Sequence, residues 1–220
     1  MNYQIDAPGS AIRTTVKLPA SKSISNRALI LNALSYSAYD VENLSDCDDT
    51  NLMVKALNSN DRDFNVGAAG TTMRFLTAFL SKVVGEWTIT GTERMKNRPI
   101  KVLVDALNAL GARIEYMEKE GYPPLRIFGS ALQGGEISLP GNVSSQYISA
   151  ILMIAPLTEN GVMLHLEGAI ISRPYIHITL QLMEQYGVRA SWTENTIKVL
   201  PQEYKPIRFT VESDWSAASY

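Results

Sequence analysis

One phrase, used three times, constrains this 220-residue chain more than any other feature. "TTVKLPASKSISNRALILNAL", "DFNVGAAGTTMRFLTAFL" and "GEISLPGNVSSQYISAILM" each run from an extended segment, through a turn of small residues, into an apolar helix. A second phrase follows each of them. "YDVENLSDCDDTNLMVKALNS", "EWTITGTERMKNRPIKVLVDALNALG" and "VMLHLEGAIISRPYIHITLQLMEQYG" read as a strand, a polar loop and an amphipathic helix. Pro99 and Pro174 suit first-turn positions, where an N–H has no acceptor to lose, and Gly111 and Gly187 suit C-terminal stops. Two hairpins complete the pattern: "ARIEYMEKEGYPPLRIFG" turning at Gly121, and "VRASWTENTIKVLP" turning at Glu194 and Asn195. The first unit passes from "ALNSN" straight to "DFNVGAAG" and has no hairpin.

This alternation predicts an α/β chain of three βαβαββ units, the first abbreviated. No single unit can bury its own sheet face, so the helices should pack around a common centre. The missing hairpin should leave one face less covered. The phrase starts a fourth time at "IRFTVESDWSAASY" without its helix, which predicts that the 220 residues are cut from a longer protein. The expected boundaries are a strand over 1–19 belonging to another domain, one compact domain over 20–213, and the start of the next domain over 214–220.

Composition narrows the function. Apolar residues make up 45% and charged residues 19%, as in ordinary globular proteins, and the net charge is −2. That balance, without basic–aromatic clustering, argues against a nucleic-acid module, so any anion site must be local. The longest apolar run, "YISAILMIAPL", is too short to span a bilayer and contains Ser149 and Pro156. A single cysteine, Cys47, excludes an internal disulfide and fits a reducing compartment; a cytoplasmic protein is expected. Cys47 has no evident histidine partner and is not read as a nucleophile. His165 and His177 lack further ligands at metal spacing, and Asp46, Asp48 and Asp49 read as helix first-turn acids that complement the dipole. Met53, Met153 and Met183 fall on apolar helical stretches and read as core.

The chemistry gathers at the helix starts. The first four N–H groups of a helix have no internal acceptor, and the macrodipole adds about half a positive charge there. Lys22, Ser23 and Arg27 crowd the first start. "GAAGTT" (67–72), with Arg74 one turn on, offers bare backbone at the second. Ser144, Ser145 and Gln146 furnish hydroxyls and an amide at the third. Loops carrying Arg94, Lys96, Arg98, Ser172 and Arg173 would face the same surface if the units are pseudo-symmetric. Two readings stand side by side here: ordinary N-caps with solvated cations, or one composite site for a polyhydroxylated, phosphorylated anion.

Taken together, "LPASKSISNRALIL", "GAAGTTMR", "ERMKNRPI", "VSSQYISAILM" and "ISRPYIHITL" resemble the N-terminal half of the 5-enolpyruvylshikimate-3-phosphate (EPSP) synthase family. The resemblance implies an inside-out α/β domain, one of two that face each other across a cleft. It implies enolpyruvyl transfer from phosphoenolpyruvate to the 5-hydroxyl of shikimate 3-phosphate, with no cofactor and no metal. By the same resemblance Lys22, Ser23, Arg27, Ser144, Ser145, Gln146, Ser172 and Tyr175 bind shikimate 3-phosphate. Lys22, Gly70, Arg98 and Gln146 meet phosphoenolpyruvate, with Lys22 the catalytic residue of this half. The family's general base lies in the other half, so the 220 residues alone are expected to be inactive. The expected partners are the two substrates and the missing domain, with no nucleic acid or membrane; a monomer is expected. Ala68 and Phe75 depart from the family's usual Asn and Pro at those positions. Two alternatives stay open: a non-catalytic phosphosugar-binding fragment, and the related UDP-N-acetylglucosamine enolpyruvyl transferases.

Overall fold

The computed structural model describes residues 9, 11 and 13–215. The first unit holds α1 (Lys22–Leu34), β1 (Val41–Glu42) and α2 (Asp48–Leu57). The second holds β2 (Asp63–Asn65), α3 (Gly70–Lys82), β3 (Gly85–Thr90), the short α4 (Glu93–Lys96), α5 (Lys101–Ala109), β4 (Arg113–Tyr116) and β5 (Leu125–Gly129). The third holds β6 (Gly135–Pro140), α6 (Ser145–Ile154), β7 (Val162–Glu167), α7 (Arg173–Gln185), β8 (Ala190–Thr193) and β9 (Thr196–Val199), and is followed by β10 (Phe209–Thr210).

Two four-stranded sheets share one topology, β2-β3-β5-β4 and β6-β7-β9-β8. In each, the first two strands are parallel around a crossover helix and the last two form an antiparallel hairpin. The third sheet is only β1 beside β10. Residues 13–19 belong to none of these strands. The place next to β1 is taken instead by the strand of the fourth phrase, parallel to it, with Val41 opposite Phe209. Residues 1–8, 10, 12 and 216–220, in the flanking segments expected to belong to another domain, lie outside the described residues.

Alternation in the strands explains which face turns inward. Ile137, Leu164 and Ile197 sit in register across β6, β7 and β9 and are buried, as are Ile89 and Leu125 across β3 and β5. The intervening residues are mostly exposed, so each sheet covers the helices on one side only. The first helices of the second and third units are accordingly buried almost all round, 11 of the 13 residues of α3 and nine of the ten of α6, while α1 buries eight of 13. α1, α3 and α6 touch one another, while α2, α5 and α7 fit between them and bury one stripe each. On α7 that stripe is Ile176, Thr179, Leu182 and Met183, the spacing of one helical face. Met53, Met153 and Met183 are core.

Gly111 and Gly187 end α5 and α7 in left-handed backbone, at φ 98° and 88°, as expected. In both cases the next residue's N–H returns to the helix, Ala112 to the Leu107 carbonyl and Val188 to the Met183 carbonyl. Pro174 sits in the first turn of α7, but Pro99 lies two residues ahead of α5 and is not helical. Where the first unit lacks its hairpin, a cavity of about 530 Å³ opens between α1, α2 and Phe79, walled by Leu29, Leu44, Val54 and Leu57. It lies at the far ends of the helices from the polar starts.

Candidate active site

α1 and α3 begin without a cap from their own N-cap side chains. Ser21 and Ala69 hold the N-cap positions, and neither side chain accepts from its helix. Ser25 donates to the Ser21 carbonyl at 2.8 Å and accepts from the Ser45 N–H at 3.0 Å, joining α1 to the loop before α2. Ser144 does cap α6, accepting from the Gln146 N–H at 3.3 Å. Ser172 opens α7 in left-handed backbone (φ 60°) and makes no cap bond. The capping reading therefore holds for α6 and fails for α1, α3 and α7.

Three of these starts are tied together by polar contacts. Lys22 Nζ lies 3.3 Å from Asp49 Oδ2, and Asp49 Oδ1 accepts the Thr71 N–H at 3.1 Å. Thr72 Oγ1 donates to the Asp49 carbonyl at 2.7 Å, and Gln146 Nε2 donates to Thr71 Oγ1 at 3.2 Å. Lys22, Asp49, Thr71 and Gln146 thus form one chain across the N-termini of α1, α3 and α6, one from each unit. Gly70, the first residue of α3, is where Arg98 comes to rest: a β-carbon there would stand 2.7 Å from Arg98 Nη2 and 2.9 Å from Cζ. Only glycine leaves room for that guanidinium. Ser23 and Tyr175 line a second opening of about 460 Å³ together with Ser21, Pro174 and residues 212–215.

The arginines divide by burial. Arg27 is 2% exposed. Its Nε donates to Thr179 Oγ1 at 2.7 Å, Nη2 to Ser149 Oγ at 2.9 Å and Nη1 to the Ser23 carbonyl at 2.8 Å. The guanidinium also lies 5.3 Å from the centre of the Phe75 ring. It therefore joins all three units at the centre of the helix cluster, with three of its five N–H groups engaged in these bonds. Burial pushes its pKa down to about 10, partly offset by Tyr175, and it stays charged at neutral pH. Phe75, the departure from proline, supplies that aromatic face.

Arg74 is not a solvated cation: it is 4% exposed, and burial, together with neighbouring Arg98, lowers its pKa. Its Nη1 donates to the Gly70 carbonyl at 3.2 Å and its Nη2 to the Pro99 carbonyl at 3.3 Å, where Tyr147 Oη also donates at 2.7 Å. Arg74 holds the loop that presents Arg98. Lys96 is engaged by Glu118 at 2.9 Å, and Arg173 stacks over Trp192, so neither is tied into the polar chain. Ser145 is buried, while Ser144, Ser172 and Tyr175 remain at least partly open to solvent.

The sequence does not mark Asp49, Ser149 or Thr179 as site residues, and Thr71 enters it only within "GAAGTT". Asp49 stands in the first turn of α2, as a dipole-complementing acid should, but it also spans to α3, which no spacing along the chain reveals. Among the described residues no group of three or more His, Cys, Asp or Glu side chains could hold a metal. No described helix is long and apolar enough to cross a membrane.

A family model described as EPSP synthase (3-phosphoshikimate 1-carboxyvinyltransferase) matches residues 7–61 and 58–220. The two stretches meet between α2 and β2, where the first unit lacks its hairpin. A 3-phosphoshikimate 1-carboxyvinyltransferase of Bacteroides fragilis (strain YCH46) is 61% identical over 221 residues, covering 100% of this chain and 54% of that protein. One from Vibrio campbellii is 43% identical, covering 97% of this chain and 57% of that protein. The solved EPSP synthase of Acinetobacter baumannii superposes with a TM-score of 0.82 at 21% identity, over 93% of this chain and 51% of that one, and so shares the fold. The chain spans about half the length of the curated relatives it matches. These matches favour one family over the UDP-N-acetylglucosamine enolpyruvyl transferases. Matched along nearly its whole length, the chain belongs to the EPSP synthase (3-phosphoshikimate 1-carboxyvinyltransferase) family.

Proposed function

We propose that this chain supplies one face of an enolpyruvyl-transfer site that binds shikimate 3-phosphate and phosphoenolpyruvate. The observation that carries the reading is the polar chain Lys22–Asp49–Thr71–Gln146, which brings the N-termini of three helices to one place. Ser23, Ser144, Ser145, Gln146, Ser172 and Tyr175 would hold shikimate 3-phosphate, with Arg27 as the buried base of that surface. Gly70, Arg98, Gln146 and Lys22 would hold phosphoenolpyruvate, the glycine admitting the Arg98 guanidinium against the open end of α3. Cations and uncapped N–H groups fixed before the substrate arrives can stabilise charge that develops during reaction. In that reaction the 5-hydroxyl adds to C2 of phosphoenolpyruvate as C3 takes a proton. Loss of phosphate and a C3 proton then restores the double bond.

Residues 20–213 would form the shikimate-3-phosphate-binding domain, with 1–19 and 214–220 belonging to the facing half. Support comes from the antiparallel pairing at that boundary, where Ser21 N–H donates to the Glu212 carbonyl at 3.0 Å and Asp214 N–H to the Pro19 carbonyl at 2.7 Å. The full protein would act as a cytoplasmic monomer. The chain alone would not turn over, because a general base must reach the proton it removes and the family places that base in the facing half. Phosphate release from the two substrates tests this. The chain should be silent alone and gain activity when the half of the Bacteroides fragilis relative that it does not cover is added. Turnover by the isolated chain would overturn the division of labour.

A further inference from the structure

We propose that Asp49 makes the α3 subsite selective for anions that still carry a proton, such as a phosphate or phosphate monoester, over fully ionised anions of the same shape. The proposal rests on the reading of the site given above. An anion drawn to the start of α3 would seek the Thr71 N–H and the Lys22 ammonium, and both already face the Asp49 carboxylate, at 3.1 and 3.3 Å. That carboxylate is fixed, since its own backbone carbonyl accepts from Thr72 at 2.7 Å and its side chain is only 17% exposed. A ligand at Lys22 and Thr71 therefore arrives beside a negative charge held by the fold.

A carboxylate only accepts hydrogen bonds, and each of its oxygens has two lone-pair sites, of which these contacts take one. Sulfate, with no proton at neutral pH, meets it as one acceptor meets another. Phosphate, with its second ionisation near pH 6 to 7, retains a proton on much of the population and can donate it to Asp49. Among the described residues the other charged or titratable groups around this carboxylate include Lys22 from α1, Arg74 from α3, Arg98 against Gly70, Asp48 and Lys55 on its own helix, and Cys47 at that helix's N-cap. Gln146, from α6, is uncharged. The cations attract phosphate and sulfate alike. Asp49 is the acceptor at hydrogen-bond distance from both donors, so it is the group that can tell them apart.

The test titrates the 220-residue chain with sodium phosphate and with sodium sulfate at pH 6.5 and constant ionic strength, following the Gly70 and Thr71 amides by NMR. A charge-assisted hydrogen bond gained by phosphate alone corresponds to about a tenfold to hundredfold preference over sulfate. In Asp49→Asn, which keeps the side chain's shape and an acceptor for the Thr71 N–H, sulfate affinity should rise and the ratio should fall towards one. In the wild-type chain phosphate affinity should also weaken from pH 6 to 8 while sulfate affinity stays level, a readout that needs no variant. Equal binding of the two anions by the wild-type chain overturns the proposal and leaves the site reading standing. An unchanged ratio in Asp49→Asn does the same. If neither anion moves the Gly70 and Thr71 amides, both the proposal and the site reading fall.

Discussion

Gly70→Ala should separate the stability of this domain from its chemistry. Gly70 opens α3 in ordinary backbone, so alanine meets no conformational barrier there, and replacing a helical glycine gains about 0.5–1 kcal/mol. The new β-carbon meets the tip of Arg98, 2.7 Å from Nη2 where a relaxed contact needs about 3.5 Å, so the guanidinium must retreat by about 1 Å. Because the obstacle is the mobile end of a long side chain, the domain should absorb the change with a net stability shift within about 1 kcal/mol. Binding should not absorb it. A guanidinium moved that far loses a charge-assisted hydrogen bond worth about 1.5–3 kcal/mol, or about tenfold to hundredfold in phosphoenolpyruvate affinity. Urea unfolding gives the first quantity, and an NMR titration with phosphoenolpyruvate the second. Arg98→Ala and the double variant complete a cycle in which the two losses should not add, since both remove one interaction. Wild-type affinity in Gly70→Ala, or a stability loss of several kcal/mol, would refute the reasoning.

Three further outcomes follow from the packing. Arg27→Ala should destabilise the domain by about 3 kcal/mol, because it strips partners from buried Ser149 and Thr179 and opens a void under Phe75; urea unfolding with a loss under about 1 kcal/mol would contradict this. Tyr36 ends α1 in left-handed backbone (φ 50°) with a side chain 95% exposed, so Tyr36→Gly should raise stability by about 1 kcal/mol, read as a higher melting temperature. Burial pushes the Tyr116 and Tyr186 phenols up to about 12 from 10, and Tyr204 rises as well, so their contribution is whole below pH 10 and is lost as pH climbs towards 12. Arg27, lowered to about 10, and Arg74, also lowered by burial, act in the opposite sense, but three phenols oppose two guanidiniums; urea midpoints should fall above pH 10, and less steeply in Tyr186→Phe.

The unit pattern was legible because it repeats. Helix stops at Gly111 and Gly187, the hairpins around Gly121 and Glu194, and the apolar first helices are each local signals, and seeing them twice or more removed their ambiguity. The absent first hairpin was legible in the same way, from the short step between "ALNSN" and "DFNVGAAG". Long-range substitution was not. That Phe209 and Thr210 would stand beside β1 depends on a closure across 168 residues, and their own sequence says only that they form a strand. In the proposed site, glycine, serine and lysine stand out in the sequence by type and position. Arginine does not, because Arg27 and Arg74 look in sequence like Arg98, and only packing shows that they are buried clamps. Asp49 was hidden by a sound local explanation, since an acid in a first turn needs no second role.

Whether the helix starts of three units act as one site is decided most directly by chemical shifts. The 220-residue chain would be titrated with shikimate 3-phosphate and then, at saturation, with phosphoenolpyruvate, following the amides of Ser23, Thr71, Gln146 and Ser172. With half the cleft open to water, a dissociation constant on the order of millimolar is expected. Shikimate 3-phosphate should move Ser23, Gln146 and Ser172 along one shared binding curve, and phosphoenolpyruvate should then move Thr71 and Gln146 together. Separate curves for the different helix starts, or shifts confined to one of them, would contradict a composite site.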